Sequence, residues 1–284
     1  MSYLDHIAAC NSAQLEEFQP LRMDDVRVGW LRPEFAQELR AYPKLFRIDS
    51  EQAIFHSEHE GFDLRTRLLD ELVHALMDRG VIGHYLDEFY PVTPSGREEA
   101  LCLLDRGSVA HFGVRAFGQH MNGFVRKPGG LHMWIARRAA DRRHAPGKLD
   151  NLVAGGLPYT ISPAENLIKE CQEEAGMDES LAARAMPVGA ISYIAESPNG
   201  LKPDVMYCYD LELPEDFLPV NTDGEVESFQ LLPVEEVAEI VRTTDEFKAN
   251  CNLVIIDFLI RHGLIGPDDK DYEQLVTGLH RQIA

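Results

Sequence analysis

Glu170, Glu173 and Glu174 stand close together with no cation between them. In a helix, at about 100° per residue, they fall within roughly a third of a turn. Ala164, Leu167, Ile168, Cys171 and Ala175 form a separate apolar stripe. One face can therefore pack while its neighbour carries clustered negative charge. Like charges at this spacing cost a few tenths of a kcal/mol each on a bare helix. A divalent cation would turn that repulsion into binding energy. Hard oxygen ligands with open water positions suit Mg²⁺ or Mn²⁺, ions that usually work with phosphate substrates. A solvated acidic face is the plain alternative, and spacing alone leaves it open.

A second acidic group, Asp223-Gly224-Glu225-Val226-Glu227, follows later in the chain. If a strand has begun by Glu225, alternation puts Glu225 and Glu227 on one face. Positive charge gathers between Arg115 and Asp150, at Arg126, Lys127, Arg137, Arg138, Arg142, Arg143 and Lys148. Arg137, Arg138 and Lys148 are candidates for gripping phosphate, arginine being the better bidentate donor. A solvated basic hairpin would look the same. His120, His132 and the aromatic Phe112, Phe117, Phe124 and Trp134 could meet a cleft, although apolar strand positions are more often core.

The elements that must position these groups are well signposted. Ser162 is a suitable N-cap, Pro163 sits at the first helical position, and Glu165 completes a Ser-x-x-Glu capping box. Gly176 is placed to end the helix in a left-handed conformation. Ahead of it, His120 to Val125 and Leu131 to Arg137 read as strands around a Pro128-Gly129-Gly130 turn, and Asp150 to Ala154 leads into the acidic segment. Met186 to Glu196 and Lys202 to Leu213 read as a strand pair, and Val226 to Leu231 as another strand. Helices over Val234 to Arg242 and Phe247 to His262 close this half. Residues 1 to about 110 read as a separate α/β unit. It has helices over Leu4 to Phe18, Pro33 to Tyr42 and Asp63 to Arg79, and strands over Val26 to Leu31 and Leu45 to Asp49. The expected division is 1–110 and 111–284.

Composition narrows the function. The chain has 284 residues, enough for two domains, with 45% apolar and 26% charged residues. Its formal charge of −20 argues against nucleic acid as a partner, because backbone phosphates need a basic surface. Five scattered cysteines show no CxxC pair and suggest neither a disulfide framework nor a zinc site. A reducing cytoplasm is the simplest setting. The first residues, MSYLDHIAAC, lack the pattern of a signal peptide. The most apolar run, Leu253 to Ile260, is too short to span a bilayer and reads as a buried helix.

The segment from Gly155 to Met177, GGLPYTISPAENLIKECQEEAGM, resembles the Nudix box, G-x5-E-x7-R-E-U-x-E-E-x-G-U, where U is aliphatic. Gly155 opens it, Gly156 follows, Glu170, Glu173 and Glu174 match its E and EE, and Gly176 and Met177 close it. Ile161 stands where the first glutamate is expected, Lys169 replaces the arginine, and Cys171 stands in for an aliphatic residue. The departures bear on rate and metal affinity more than on fold. The resemblance implies an α+β fold, a Nudix α/β/α sandwich with a mixed sheet, here preceded by a smaller N-terminal α/β domain. It implies metal-dependent hydrolysis of a diphosphate linkage. Glu170 and Glu174 are then the leading Mg²⁺ or Mn²⁺ ligands, and Glu173 a further ligand or the base. Glu225 supplies the base or an extra ligand from a later loop.

The stretches His120 to Val125, Trp134 to Gly156 and Tyr209 to Pro233 are similar to one Nudix subfamily. Its fungal members are fused to thiamine pyrophosphokinase, and it is associated with hydrolysing damaged thiamine diphosphate analogues to monophosphates. The implied partner is a small-molecule diphosphate, with no nucleic acid and no membrane, and homodimers are common in the superfamily. The alternatives are a pyrophosphatase for nucleoside diphosphates such as ADP-ribose or NADH, and a catalytically silent binding module on the same fold.

Overall fold

The computed structural model describes residues 1–283. The chain opens with helix α1 (Tyr3–Cys10), shorter than its apolar pattern suggests. Asn11 ends it, returning its backbone N–H and its side-chain amide to the carbonyls of Ile7 and Ala8. Only a 3₁₀ turn, Leu15–Glu17, follows in the stretch expected to continue the helix.

The N-terminal unit then runs β1 (Gln19–Met23), β2 (Val26–Leu31), α2 (Pro33–Leu39), β3 (Phe46–Ile48), β4 (Ala53–Phe55) and α3 (Phe62–Asp78). Strand β5 (Phe89–Val92), strand β6 (Cys102–Asp105) and helix α4 (Val109–Phe112) complete it. Its first four strands form one sheet, ordered β2-β1-β4-β3, and β5 and β6 pair separately as an antiparallel ribbon. One apolar core joins them, with Leu31, Leu39, Phe55, Leu72, Leu76 and Phe112 among its buried members.

The second unit comprises β7 (Ala116–Lys127), β8 (Gly130–Arg138), β9 (Leu149–Asp150) and β10 (Val153–Gly156), then helices α5 (Pro163–Ala175) and α6 (Glu179–Ala182). Strands β11 (Met186–Ser197), β12 (Gly200–Glu212) and β13 (Val226–Pro233) follow, then helices α7 (Val234–Thr243), α8 (Ala249–Arg261) and α9 (Tyr272–Leu279). The main sheet is ordered β11-β12-β7-β8-β13, with β10 joined to β7 and β9 to β8. It is mixed, since β12 and β7 run parallel while the other pairs are antiparallel.

Alternation along the strands divides its side chains between two cores. Phe124, Met133, Ile135 and Met206 pack with α7, α8 and α9. Met121, Val125, Trp134 and Leu211 pack with Leu167, Cys171 and Ala175 of α5. The sheet is thus covered on both faces, an α/β/α sandwich. Helix α1 crosses over to this unit. Ile7 and Cys10 lie in the core of the C-terminal helices, and His6 Nε2 is 2.6 Å from the Val241 carbonyl. Among the described residues, no helix is long and apolar enough to cross a membrane.

Candidate active site

Helix α5 is built by local signals and then fastened to the strand beneath it. Ser162 Oγ accepts from the Glu165 N–H at 3.3 Å, and Glu165 returns a bond to the Ser162 N–H at 3.2 Å. At the far end Gly176 takes a left-handed conformation (φ 60°), which glycine adopts without penalty. The buried Asn166 donates to Gln119 Oε1 at 2.8 Å and to the Gly156 carbonyl at 2.9 Å, tying the first turn to β7 and β10.

Two of the three clustered glutamates turn towards β10. Glu174 is buried, and its Oε2 accepts from the Ala154 N–H at 2.8 Å. Glu170, 16% exposed, lies over Gly155, where an ideal Cβ would stand 2.6 Å from both carboxylate oxygens. Glycine at 155 is therefore required by close approach, since its backbone is not in the left-handed region. Glu173 turns the other way. It is half exposed and paired with Lys169 at 2.6 Å. Lys169 also reaches Glu170 at 3.7 Å, bracing both carboxylates from the arginine position of the motif.

This pair of carboxylates is short of positive charge. Burial raises Glu170 to about 6; Glu173 and Glu225 push in the same direction, and Lys169 and Arg106 oppose it. Burial raises Glu174 well above the usual carboxylate range, with only the Ala154 N–H and Lys248 pulling down against Asp150 and Glu170. Among the described residues Glu174 has no ion-pair partner. Two carboxylates converging on one strand, Glu174 buried and Glu170 largely so, each with burial disfavouring its charge, fit a hard divalent metal.

The loop before β13 brings Glu225 near enough for its charge to act on Glu170. Thr222 binds the Glu173 carbonyl through its backbone N–H (3.2 Å) and its hydroxyl (2.7 Å), fastening the loop to the end of α5. Glu225 pairs with Arg142 at 2.7 Å, and its carbonyl accepts from the Ala139 N–H at 2.9 Å. The alternation expected to align Glu225 with Glu227 does not operate. The strand begins only at Val226, and its register against β8 shifts between Val226 and Ser228.

The cations expected to grip phosphate are used differently. Arg137 donates to the Gly147 carbonyl at 2.7 Å. Arg138 pairs with Asp150 at 2.8 Å and donates to the His144 carbonyl at 3.2 Å. Lys148 donates to the Asp245 carbonyl at 2.5 Å. These three hold the 139–148 loop and its flanks in place. The cations whose charges reach Glu170 are instead Lys169 and Arg106, the latter from the N-terminal unit. Sequence reasoning had no signal for Arg106, because the contact is made only in three dimensions. Arg97, a buried residue of the same unit, donates to the carbonyls of Pro158 (2.6 Å) and Ile161 (3.1 Å). It thus anchors the box loop at the position where the usual glutamate is missing.

His120, Asp150 and Cys251 form a second group with metal-ligand chemistry, all buried and mutually within 4.8 Å. Its charge balance differs. Arg138 (2.8 Å) and Lys248 (3.3 Å) both face Asp150, and the Cys251 thiol donates to it at 2.7 Å. Burial works against Asp150's charge, yet Lys248, His120 and Arg138 bring its pKa below the usual value. Burial, reinforced by Lys248, lowers His120 to about 4. A metal here would be a third cation against one carboxylate. The trio reads as a satisfied polar core. Phe112, Phe124 and Trp134 are likewise buried in apolar cores, and Phe117 is buried beside Tyr207.

Residues 2–116 match a family model described as a domain of unknown function (DUF4743), and residues 119–251 match the NUDIX domain. The chain is similar to the chloroplastic Nudix hydrolase 20 of Arabidopsis thaliana, with 41% identity over 292 residues, covering 99% of this chain and 78% of that protein. The chloroplastic Nudix hydrolase 24 of the same plant is 41% identical over 286 residues, covering 98% and 77%. An uncharacterized protein of Saccharomyces cerevisiae is 33% identical over 284 residues, covering 92% and 82%.

Proposed function

The chain belongs to the Nudix hydrolase family, and from that premise we propose that Glu170 and Glu174 hold Mg²⁺ or Mn²⁺ for hydrolysis of thiamine diphosphate, or its oxidised analogues, to the monophosphate. The observation that carries the metal assignment is the convergence of two cation-poor carboxylates on β10. The substrate assignment rests on the similarity of His120 to Val125, Trp134 to Gly156 and Tyr209 to Pro233 to the thiamine-related subfamily.

When bound, the cation would neutralise phosphate oxygens and lower the pKa of the attacking water. Glu225, on the loop fastened to α5, takes the proton as the water oxygen bonds to phosphorus. The anhydride P–O bond breaks, and inorganic phosphate separates from the thiamine monophosphate. Arg142 aims Glu225 through their 2.7 Å ion pair. Glu173 contributes through Lys169, which it fixes beside Glu170.

The test is a panel of oxidised thiamine diphosphate analogues, thiamine diphosphate, ADP-ribose, NADH and nucleoside triphosphates, each with Mg²⁺ or Mn²⁺. The oxidised thiamine compounds should give the highest kcat/KM. Glu174→Gln should lower it by about two orders of magnitude or more, as when a charge-stabilising group is lost. Preference for ADP-ribose or NADH would overturn the substrate, and unchanged turnover in Glu174→Gln would overturn the metal assignment.

A further inference from the structure

We propose that Arg106 binds the diphosphate, so that the N-terminal unit supplies part of the active site. The inference rests on the metal and hydrolase reading of the neighbouring carboxylates. Arg106 follows β6 and leaves the N-terminal unit towards β10. Its guanidinium carbon and Nη2 would stand 3.2 Å and 3.3 Å from a Cβ on Gly156, the residue next to the one beneath Glu170. The Tyr90 hydroxyl crowds the same Gly156 position, and the Arg106 guanidinium lies 5.9 Å from the Tyr90 ring centre. Tyr90 of β5 and Arg106, just after β6, therefore form a wall against β10, the strand beneath the acidic pair.

The commitments of the neighbouring cations separate Arg106 from them. Lys169 is spent on Glu173 and Glu170, and Arg138 on Asp150 and the His144 carbonyl. The Arg106 side chain pairs through Nη1 with Glu88 at 2.8 Å, and among the described residues Glu88 is that side chain's one hydrogen-bond partner. A guanidinium has five N–H donors in a rigid fork, so most of its capacity stays open, and 42% of the side chain is exposed. An open fork beside a cation-binding acidic pair matches the planar, bidentate demand of phosphate oxygens.

The 139–148 loop closes against the same unit. Arg143 Nη2 lies 2.9 Å from His84 Nδ1, so the N-terminal unit touches both the strand under the acidic pair and the loop that orients Glu225. In an acidic protein Arg106 is one of the two cations whose charge reaches Glu170, and an incoming diphosphate needs such local relief.

The test measures binding without turnover, using methylenediphosphonate with Mg²⁺ as probe and calorimetry on the full chain. Arg106→Ala should weaken the probe by about tenfold or more, the loss typical of a charge-assisted hydrogen bond. Arg106→Lys should recover part of the affinity. Binding of Mn²⁺ alone, and the melting temperature, should stay at wild-type values in both variants. Undiminished probe affinity in Arg106→Ala overturns the proposal. So does a parallel loss of Mn²⁺ binding, which would make Arg106 structural, or a wild-type protein that ignores the probe. Because no hydrolysis is required, a protein that binds the probe through Arg106 but turns over nothing on the substrate panel would sink the enzymatic reading alone.

Discussion

The Glu170 carboxylate occupies the space that a Gly155 side chain would need, its two oxygens each 2.6 Å from the ideal Cβ position. The first glycine of the motif and its first retained glutamate are thus one steric unit, although they are far apart in sequence. Gly155→Ala meets no backbone strain, because its conformation is ordinary for any residue. It should displace Glu170 and weaken Mn²⁺ binding by about tenfold, as expected when one charged ligand is misplaced. Calorimetric titration checks this, and wild-type affinity in the alanine variant would show that Glu170 does not hold the metal in this pose.

The pH dependence of the metal-free protein follows from Glu170. Its folded pKa of about 6 lies above the ordinary 4.5, so its contribution to stability is fully present below pH 4.5 and is lost as pH rises through 6. The difference corresponds to about 2 kcal/mol. Stability of the metal-free protein should therefore decline between pH 4.5 and 7, and Glu170→Gln should flatten that decline. Mn²⁺ affinity should fall as the pH drops through 6, where a proton competes for the same oxygens. Denaturant melts at several pH values measure the first effect and calorimetry the second; identical profiles for wild type and Glu170→Gln would contradict it.

The buried Asp150 is the counter-charge for two partly buried cations, Arg138 and Lys248. Asp150→Asn leaves both uncompensated and should destabilise the protein by about 3–5 kcal/mol. Bound-metal content, measured by elemental analysis after mild dialysis, should not change in the fraction that stays folded. A stable Asp150→Asn protein that has lost a bound ion would instead make the His120, Asp150 and Cys251 trio the metal centre.

What could be read from the sequence is what local chemistry determines. The helix carrying the glutamates was legible to its ends, because Ser162, Pro163, Glu165 and Gly176 are cap signals that act within one turn. The long strands β7, β8, β11 and β12 announced themselves by period and turn residues. The ribbon β5–β6 did not, since Pro91 interrupts one strand and an irregular stretch separates the two. Helix α9 was not anticipated, its apolar face being short. At the site, the position of Glu225 depended on a bulge that periodicity cannot reveal. The roles of Arg137, Arg138 and Lys148 depended on which acceptors the folded loop brings near. Arg97 and Arg106 reach the site from another unit, a relationship that no spacing rule encodes.

The docking of α1 against α8 has a consequence for how the molecule is made. Helix α1 is made before every other described helix, yet its apolar stripe is reserved for a partner translated far later in the chain. Until then it must wait uncovered or be sheltered by a chaperone, and an interrupted product would display an oily patch to quality control. Synthesis of α8 and closure of this part of the interior are thereby tied to the same late event.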